Sequence, residues 1–246
     1  MNNSIANLSA IISMIGISIS FILFSNAILK NTISKFDKYK SLNHQIGSIK
    51  KPNEFYFIHK RLFDVLFSLI SLLIFSPFFL LISIMIKVND KGPIFYKMKR
   101  IGYKGKIFYC YKFRTMDYEH NYKSNELPLK NDRRITKVGR FLRSTNLDEL
   151  PSLLSILTGN MSLVGRSRIL DYDITSNKLT HKQIKLLINI KPGILNIWIL
   201  SSNRFRFDFD SLYDFDLYYA KHRSSFFDLK ILLGSFFVIL GLSSGY

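Results

Sequence analysis

From Val65 to Ile86 the chain runs 22 residues without a charge, and Ser76-Pro77 stands in the middle of that run. A helix of roughly 20 apolar residues is long enough to cross a bilayer. The flanks argue against crossing. Lys60 and Arg61 precede the run; Lys87, Lys91, Lys97, Lys99, Arg100, Lys104 and Lys106 follow it. Basic segments stay on the cytoplasmic face, so both flanks belong on the same side. Pro77 supplies the geometry, since it removes one backbone hydrogen bond and bends a helix. The Ser76 hydroxyl can serve a backbone group so released. The run is expected to enter the membrane, bend at Ser76 and Pro77, and return to the same face. An ordinary kinked span is the alternative.

A second uncharged run, Leu8 to Leu29, also has 22 residues. No Lys or Arg precedes it, and eight basic residues lie between it and the next run. It is expected to be an uncleaved transmembrane anchor with its N-terminus outside and everything after Lys30 in the cytoplasm; a buried core helix is the alternative. The formal net charge of +18 requires an anionic partner: lipid headgroups, a phosphorylated substrate or nucleic acid. The 48% hydrophobic content excludes a disordered basic tail. The single cysteine, Cys110, excludes an intramolecular disulfide. The five histidines show no metal-ligand spacing, and no dinucleotide fingerprint, P-loop or nucleophile elbow is present.

From Gly92 onward the pattern predicts one cytoplasmic domain of α+β class, largely helical. A hairpin is expected from Pro93 to Thr115, with its turn at Gly102 to Gly105. On its second strand, Lys112 and Arg114 share one face, and Ile107, Tyr109, Tyr111 and Phe113 the other. Glu119 to Arg134 is expected to be a loop. Ile135 to Arg143, Ser152 to Leu157 and Thr180 to Ile190 have helical patterns. Ile231 to Leu242 is short for a span and suits a core or interfacial helix.

The chemistry concentrates between Asn131 and Arg168. Asp148-Glu149 is a carboxylate pair among Lys137, Arg140, Arg143, Arg166 and Arg168. Pro151 suits a first helical turn, which places the pair where backbone N–H groups stabilise anions. Such a carboxylate stays ionised and can hold Mg²⁺ or attack an electrophile. Acidic residues there are also ordinary helix caps, so the pair alone decides nothing.

Its neighbours add a resemblance. Lys60-Arg61-x-Phe63-Asp64 with Ser76-Pro77, Lys112-Phe113-Arg114-Thr115-Met116, Arg134 to Arg143 followed by Leu147-Asp148-Glu149-Leu150-Pro151, and Gly159 to Gly165 come in one order. Lys191-Pro192-Gly193-Ile194 and Asp216 to Tyr219 follow as weaker matches. Together they resemble the bacterial sugar transferases, the monotopic polyprenol-phosphate phosphoglycosyltransferases, from about Lys60 to the end of the chain.

The chain is thus expected in three parts: the anchor at residues 1–30, a basic cytoplasmic linker at 31–59, and, as the resemblance implies, a catalytic domain at 60–246 whose residues 60–87 form the re-entrant helix, with the domain on the cytoplasmic face of the bacterial inner membrane. The resemblance also implies transfer of a phosphosugar from a UDP-sugar to undecaprenyl phosphate, with release of UMP, as the first membrane step of a surface glycan pathway. Asp148 would be the nucleophile and Mg²⁺ ligand, and Glu149 its assistant. Arg143 would hold phosphate, with Lys112 and Arg114 as further substrate cations or, alternatively, membrane-surface contacts. The family's Pro-Arg-Pro is replaced by Arg166-Ser167-Arg168, so Arg166 or Arg168 is expected to stand in for the missing arginine. Ser152 replaces the usual Gln, and Leu195-Asn196 the usual Thr-Gly. Membrane lipids are expected partners, and a homodimer is left open. Nucleic acid is not expected, because it leaves the carboxylate pair unexplained. The competing expectation is a catalytically impaired, membrane-anchored scaffold of the same fold.

Overall fold

The computed structural model describes residues 52–118, 132–167, 181–201 and 209–239, with isolated positions 27, 31 and 34. The expected anchor, apart from position 27, most of the basic linker, and Arg168 lie outside the described residues. The chain divides into two compact units, Pro52–Ile194 and a second made of Met1–Lys51 with Leu195–Tyr246.

The larger unit opens with helix α1, Glu54–Asn89. The Asn53 side chain caps it by accepting the Tyr56 N–H at 3.0 Å. Its start thus falls six residues before the expected membrane segment. At the other end Asp90 is extended, and its N–H closes on Ile86 O at 3.0 Å. The helix continues through Pro77. Pro77 cannot donate to Leu73 O, and the Ser76 hydroxyl donates to that same carbonyl at 2.8 Å. Burial along α1 is inverted relative to a helix in water. Asp64, Ser68 and Ser71 are buried, while Leu66, Ile70, Leu73, Ile74, Leu80, Leu81 and Ile84 are exposed.

Both ends of α1 seat on the same unit. Near its start, Lys60 Nζ donates to Val164 O at 2.8 Å. The Arg61 guanidinium donates to Ile156 O and Leu157 O at 2.6 and 2.7 Å, capping helix α3, Leu153–Leu157. Asp64 accepts the Leu163 N–H at 2.9 Å, on strand β3, Ser162–Val164. Near its end, Ile82 and Ile86 form a core with Phe113 and Leu142, surrounded by Phe79, Ile94, Val138, Leu147 and Leu150.

Strands β1, Phe95–Ile101, and β2, Ile107–Phe113, pair antiparallel from Phe95↔Phe113 to Ile101↔Ile107. The 3₁₀ turn Tyr103–Gly105 joins them, with Lys104 and Gly105 at φ of 55° and 77°. The hairpin stands where the sequence placed it. Of its two faces, Phe108 and Cys110 are buried, and Ile107, Tyr109 and Tyr111 are exposed. Phe113 shares the outward parity but is buried between Phe95 and Phe79.

Helix α2 is Lys137–Ser144, α4 is His181–Ile188, and β4, Gly193–Leu195, pairs with β3. A Cβ on Gly165 would stand 2.4 Å from Lys191 O, so only glycine lets these segments meet.

In the second unit, the 3₁₀ turn Ile197–Leu200 accompanies helices α5, Phe209–His222, and α6, Ser225–Ile239. Trp198 packs edge-on to Phe215 at 5.5 Å, and the Tyr219 hydroxyl donates to Asp228 at 2.7 Å. Helix α6 buries Ile231 and Ser235 and exposes Phe226, Leu229 and Phe236. The described fold is mostly helical with two small sheets, as the α+β expectation required.

Candidate active site

The site is assembled around the backbone of Thr115. Beyond β2, Met116 bridges Ile135, and Asp117 N–H donates to Arg134 O at 2.9 Å. Thr136 N–H donates to Thr115 O at 3.1 Å, and the Thr136 hydroxyl caps α2 by accepting the Gly139 N–H at 2.9 Å. Helix α2 lies so close that a Cβ on Gly139 would meet Thr115 O at 1.9 Å. One helical turn on, Arg143 shares that face and its Nε donates to the Thr115 hydroxyl at 2.8 Å. Burial lowers the Arg143 pKa from its ordinary value; Asp148 and Asp132 pull it back up, and Arg134 repels it. A guanidinium so placed remains a cation. Asp132 holds Arg134 through two carboxylate oxygens, at 2.9 Å to Nε and 2.6 Å to Nη2.

After α2 the chain reverses at Asn146, in the left-handed region at φ 56°, a conformation Asn tolerates. The 3₁₀ turn Leu147–Ser152 then carries Asp148 and Glu149 back to β2. Lys112, on the inward face of β2, bonds Glu149 Oε1 and lies 3.9 Å from Asp148 Oδ2. The three side chains are 12–19% exposed, so water screens their attraction less than at an open surface, yet the carboxylates remain reachable. The turn is locked to the strand: the Ser152 hydroxyl donates to Tyr111 O at 3.1 Å and meets Cys110 Sγ at 3.2 Å. The structure therefore gathers Lys112, Arg143, Asp148 and Glu149 at one place.

A family model described as bacterial sugar transferase matches residues 55–241. The chain belongs to the bacterial sugar transferases. It is similar to the exopolysaccharide production protein ExoY of Rhizobium meliloti, with 36% identity over 189 residues, covering 70% of this chain and 81% of that protein. It is 38% identical to the undecaprenyl-phosphate galactose phosphotransferase of Salmonella typhimurium over 205 residues, 76% of this chain and 41% of that protein. A UDP-glucose:undecaprenyl-phosphate glucose-1-phosphate transferase of Klebsiella pneumoniae is 36% identical over 182 residues, 71% of this chain and 38% of that protein. The chain thus spans about two fifths of the length of the Salmonella and Klebsiella relatives.

In this sugar transferase two of the expected substrate arginines are engaged inside the fold. Arg114 is buried; its Nη2 donates to Asp90 O at 3.0 Å and pairs with Asp90 Oδ2 at 3.2 Å, at the exit of α1. Arg166 is fully buried and donates to three carbonyls, Ile190 O, Ser167 O and Ile101 O, at 3.0, 2.9 and 2.7 Å. Thr115, Gly139 and the Asp132–Arg134 pair are parts of the site that sequence reasoning missed, and Ser152 was marked only as a replaced Gln. Thr115 had a signal, its place inside the Lys112-to-Met116 motif. Among the described residues no three His, Cys, Asp or Glu side chains cluster as a metal cage. Asp148 and Glu149 offer only carboxylate oxygens, which fits Mg²⁺, an ion held by one or two carboxylates and completed by substrate phosphates.

Proposed function

We propose that this transferase moves a sugar 1-phosphate from a UDP-sugar to undecaprenyl phosphate at the cytoplasmic face of the bacterial inner membrane. The observation that carries the reading is the Asp148–Glu149 pair clamped by Lys112 beside Arg143. The names of the Salmonella and Klebsiella relatives support it. An Asp148 oxygen attacks the sugar-bearing phosphorus, forming an aspartyl phosphosugar as the phosphoanhydride bond breaks and UMP leaves. An oxygen of undecaprenyl phosphate then attacks the same phosphorus and releases Asp148. Lys112 favours the ionised dyad and orients Glu149 beside the nucleophile. Arg143, pinned by Thr115, presents a fixed cation to phosphate oxygens as charge shifts. Mg²⁺ at Asp148, when bound, would neutralise diphosphate charge. Arg114 and Arg166 are held inside the fold, by Asp90 and by three carbonyls, and Arg168 is the remaining candidate for a direct donor contact.

We further propose that α1 is re-entrant. It is long and apolar enough to cross a membrane and largely unburied. Its two ends bind one unit, however, and a span would place them on opposite faces. The Ser76 bond to Leu73 O supports a bend at Pro77, because it satisfies the carbonyl that the proline orphans.

One observation favours the impaired scaffold: Ser167 stands at the family's arginine position while Arg166 is turned inward. A panel of UDP-sugars with undecaprenyl phosphate and Mg²⁺, read by UMP release, decides. Release with at least one sugar is expected. No release from folded protein with any sugar would leave the scaffold.

A further inference from the structure

The outward face of the hairpin plays no part in the site. The register sets Phe95, Lys97 and Lys99 opposite Phe113, Tyr111 and Tyr109, and period two puts them on one face. Phe95, Ile107, Tyr109 and Tyr111 are 38–57% exposed there. Lys97 Nζ stands 3.9 Å from the centroid of the Tyr109 ring. On the other face Phe108 and Cys110 are buried and Lys112 meets the dyad. Strand β2 therefore has one side committed to the chemistry and one side open.

Two observations name what covers the open side. The first is continuity: buried Phe113 stacks on Phe95 at 5.4 Å and meets Phe79 of α1 at 5.2 Å, two residues beyond Pro77. The patch thus begins at the helix that exposes its apolar side chains. The second is composition. Tyrosines with polar tips, aliphatic groups and lysines are what the boundary between hydrocarbon and headgroups selects, and the lysines complement anionic lipid.

We propose that Phe95, Lys97, Lys99, Ile107, Tyr109 and Tyr111 rest in the anionic headgroup layer of the bilayer. Strand β2 then holds Lys112 and the dyad at a fixed height over the lipid surface, the level of a lipid-linked phosphate. This rests on the reading of α1 as lipid-embedded, so the test carries a separate probe for each.

Trp198 is the only tryptophan. In the full chain carrying Trp198→Phe, single tryptophans are placed by Tyr109→Trp on the hairpin and Leu73→Trp on α1. Each protein is reconstituted in phosphatidylglycerol–phosphatidylcholine vesicles, with and without bromine near the carbonyl end of the acyl chains. Both probes are expected to be blue-shifted, quenched by bromolipid and protected from aqueous iodide. Adding Lys97→Glu with Lys99→Glu is expected to abolish the quenching of the hairpin probe alone. If the hairpin probe is open to iodide and insensitive to bromolipid while the α1 probe is quenched, the proposal falls and the membrane helix stands. If it is shielded from iodide yet insensitive to bromolipid, a protein covers the face and the proposal falls. If the α1 probe is itself unquenched, the reading of the helix falls and takes the hairpin with it.

Discussion

At Gly139, helix α2 touches the backbone it is seated on, and a single methyl tests the whole arrangement. In Gly139→Ala the new carbon would stand 1.9 Å from Thr115 O and 2.6 Å from its carbonyl carbon, where contacts under 3.0 Å essentially never occur. The obstacle is main chain and cannot swing aside, so α2 must withdraw by about 1 Å or more. Arg143 sits on the same face one turn later, and its 2.8 Å bond to the Thr115 hydroxyl breaks with that withdrawal. A misplacement of about 1 Å costs on the order of a hundredfold in rate, or about 2.7 kcal/mol of transition-state stabilisation. The sign on stability is equally diagnostic. Gly→Ala inside an ordinary helix gains about 1 kcal/mol; here overpacking costs about 1–3 kcal/mol. UMP release across UDP-sugar concentrations, with thermal unfolding in the same detergent, should show kcat/KM down by that factor and a lowered midpoint. Wild-type kinetics with a raised midpoint would mean that α2 does not rest on Thr115, and the placement of Arg143 would be refuted.

Asp148→Asn should abolish UMP release and the mass shift of a phosphosugar adduct in folded protein; an adduct that persists would move the nucleophile elsewhere. Ser152→Ala removes the hydroxyl that donates to Tyr111 O and should lower stability by about 0.5–1.5 kcal/mol, with calorimetry of the detergent-solubilised protein as the check; an unchanged midpoint would sink the lock between turn and strand. Burial lowers the Lys191 pKa, Arg61 and Lys60 add repulsion, and Asp64 opposes them. The folded chain therefore binds this proton less readily than the unfolded chain, and Lys191 makes wild-type stability rise as pH climbs through the window below the ordinary value of 10.5. Lys191→Met should be the more stable protein at neutral pH and lose that advantage as pH approaches 10.5, and a pH-independent difference in denaturant midpoint would contradict the assignment.

The hairpin was legible because its turn is written in two glycines and its strands in aromatic residues, all within one short window. The dyad with Lys112 and Arg143 was legible through motif order. The fates of Arg114 and Arg166 were not. Both cations were expected to face an anionic substrate, yet one meets the residue that ends α1 and the other meets three carbonyls. Ile101, one of those carbonyls' residues, is 65 positions from Arg166. No local window carries such a pairing, because a buried guanidinium and a substrate-binding one have the same sequence. The early start of α1 did have a signal: Asn53 before Glu54 is a helix-opening pair. Which parity of β2 faces outward also escaped the pattern, since Ile107, Tyr109 and Tyr111 are exposed against the rule that apolar residues turn inward.

The ties at the start of α1 have a consequence in time. Lys60, Arg61 and Asp64 find their partners 95 to 104 residues later in the chain. At a synthesis rate of roughly 5–20 residues per second, the apolar helix emerges several seconds before the segments that seat it exist. During that interval its charged first turns have only water or lipid headgroups to bond, while the far end already has Ile94, Phe113 and Leu142 to pack against. The entrance of α1 is thus fastened late, when residues 156–164 arrive to take hold of Lys60, Arg61 and Asp64. A nascent chain released before that stretch would carry the complete apolar helix without the bonds that fasten its entrance.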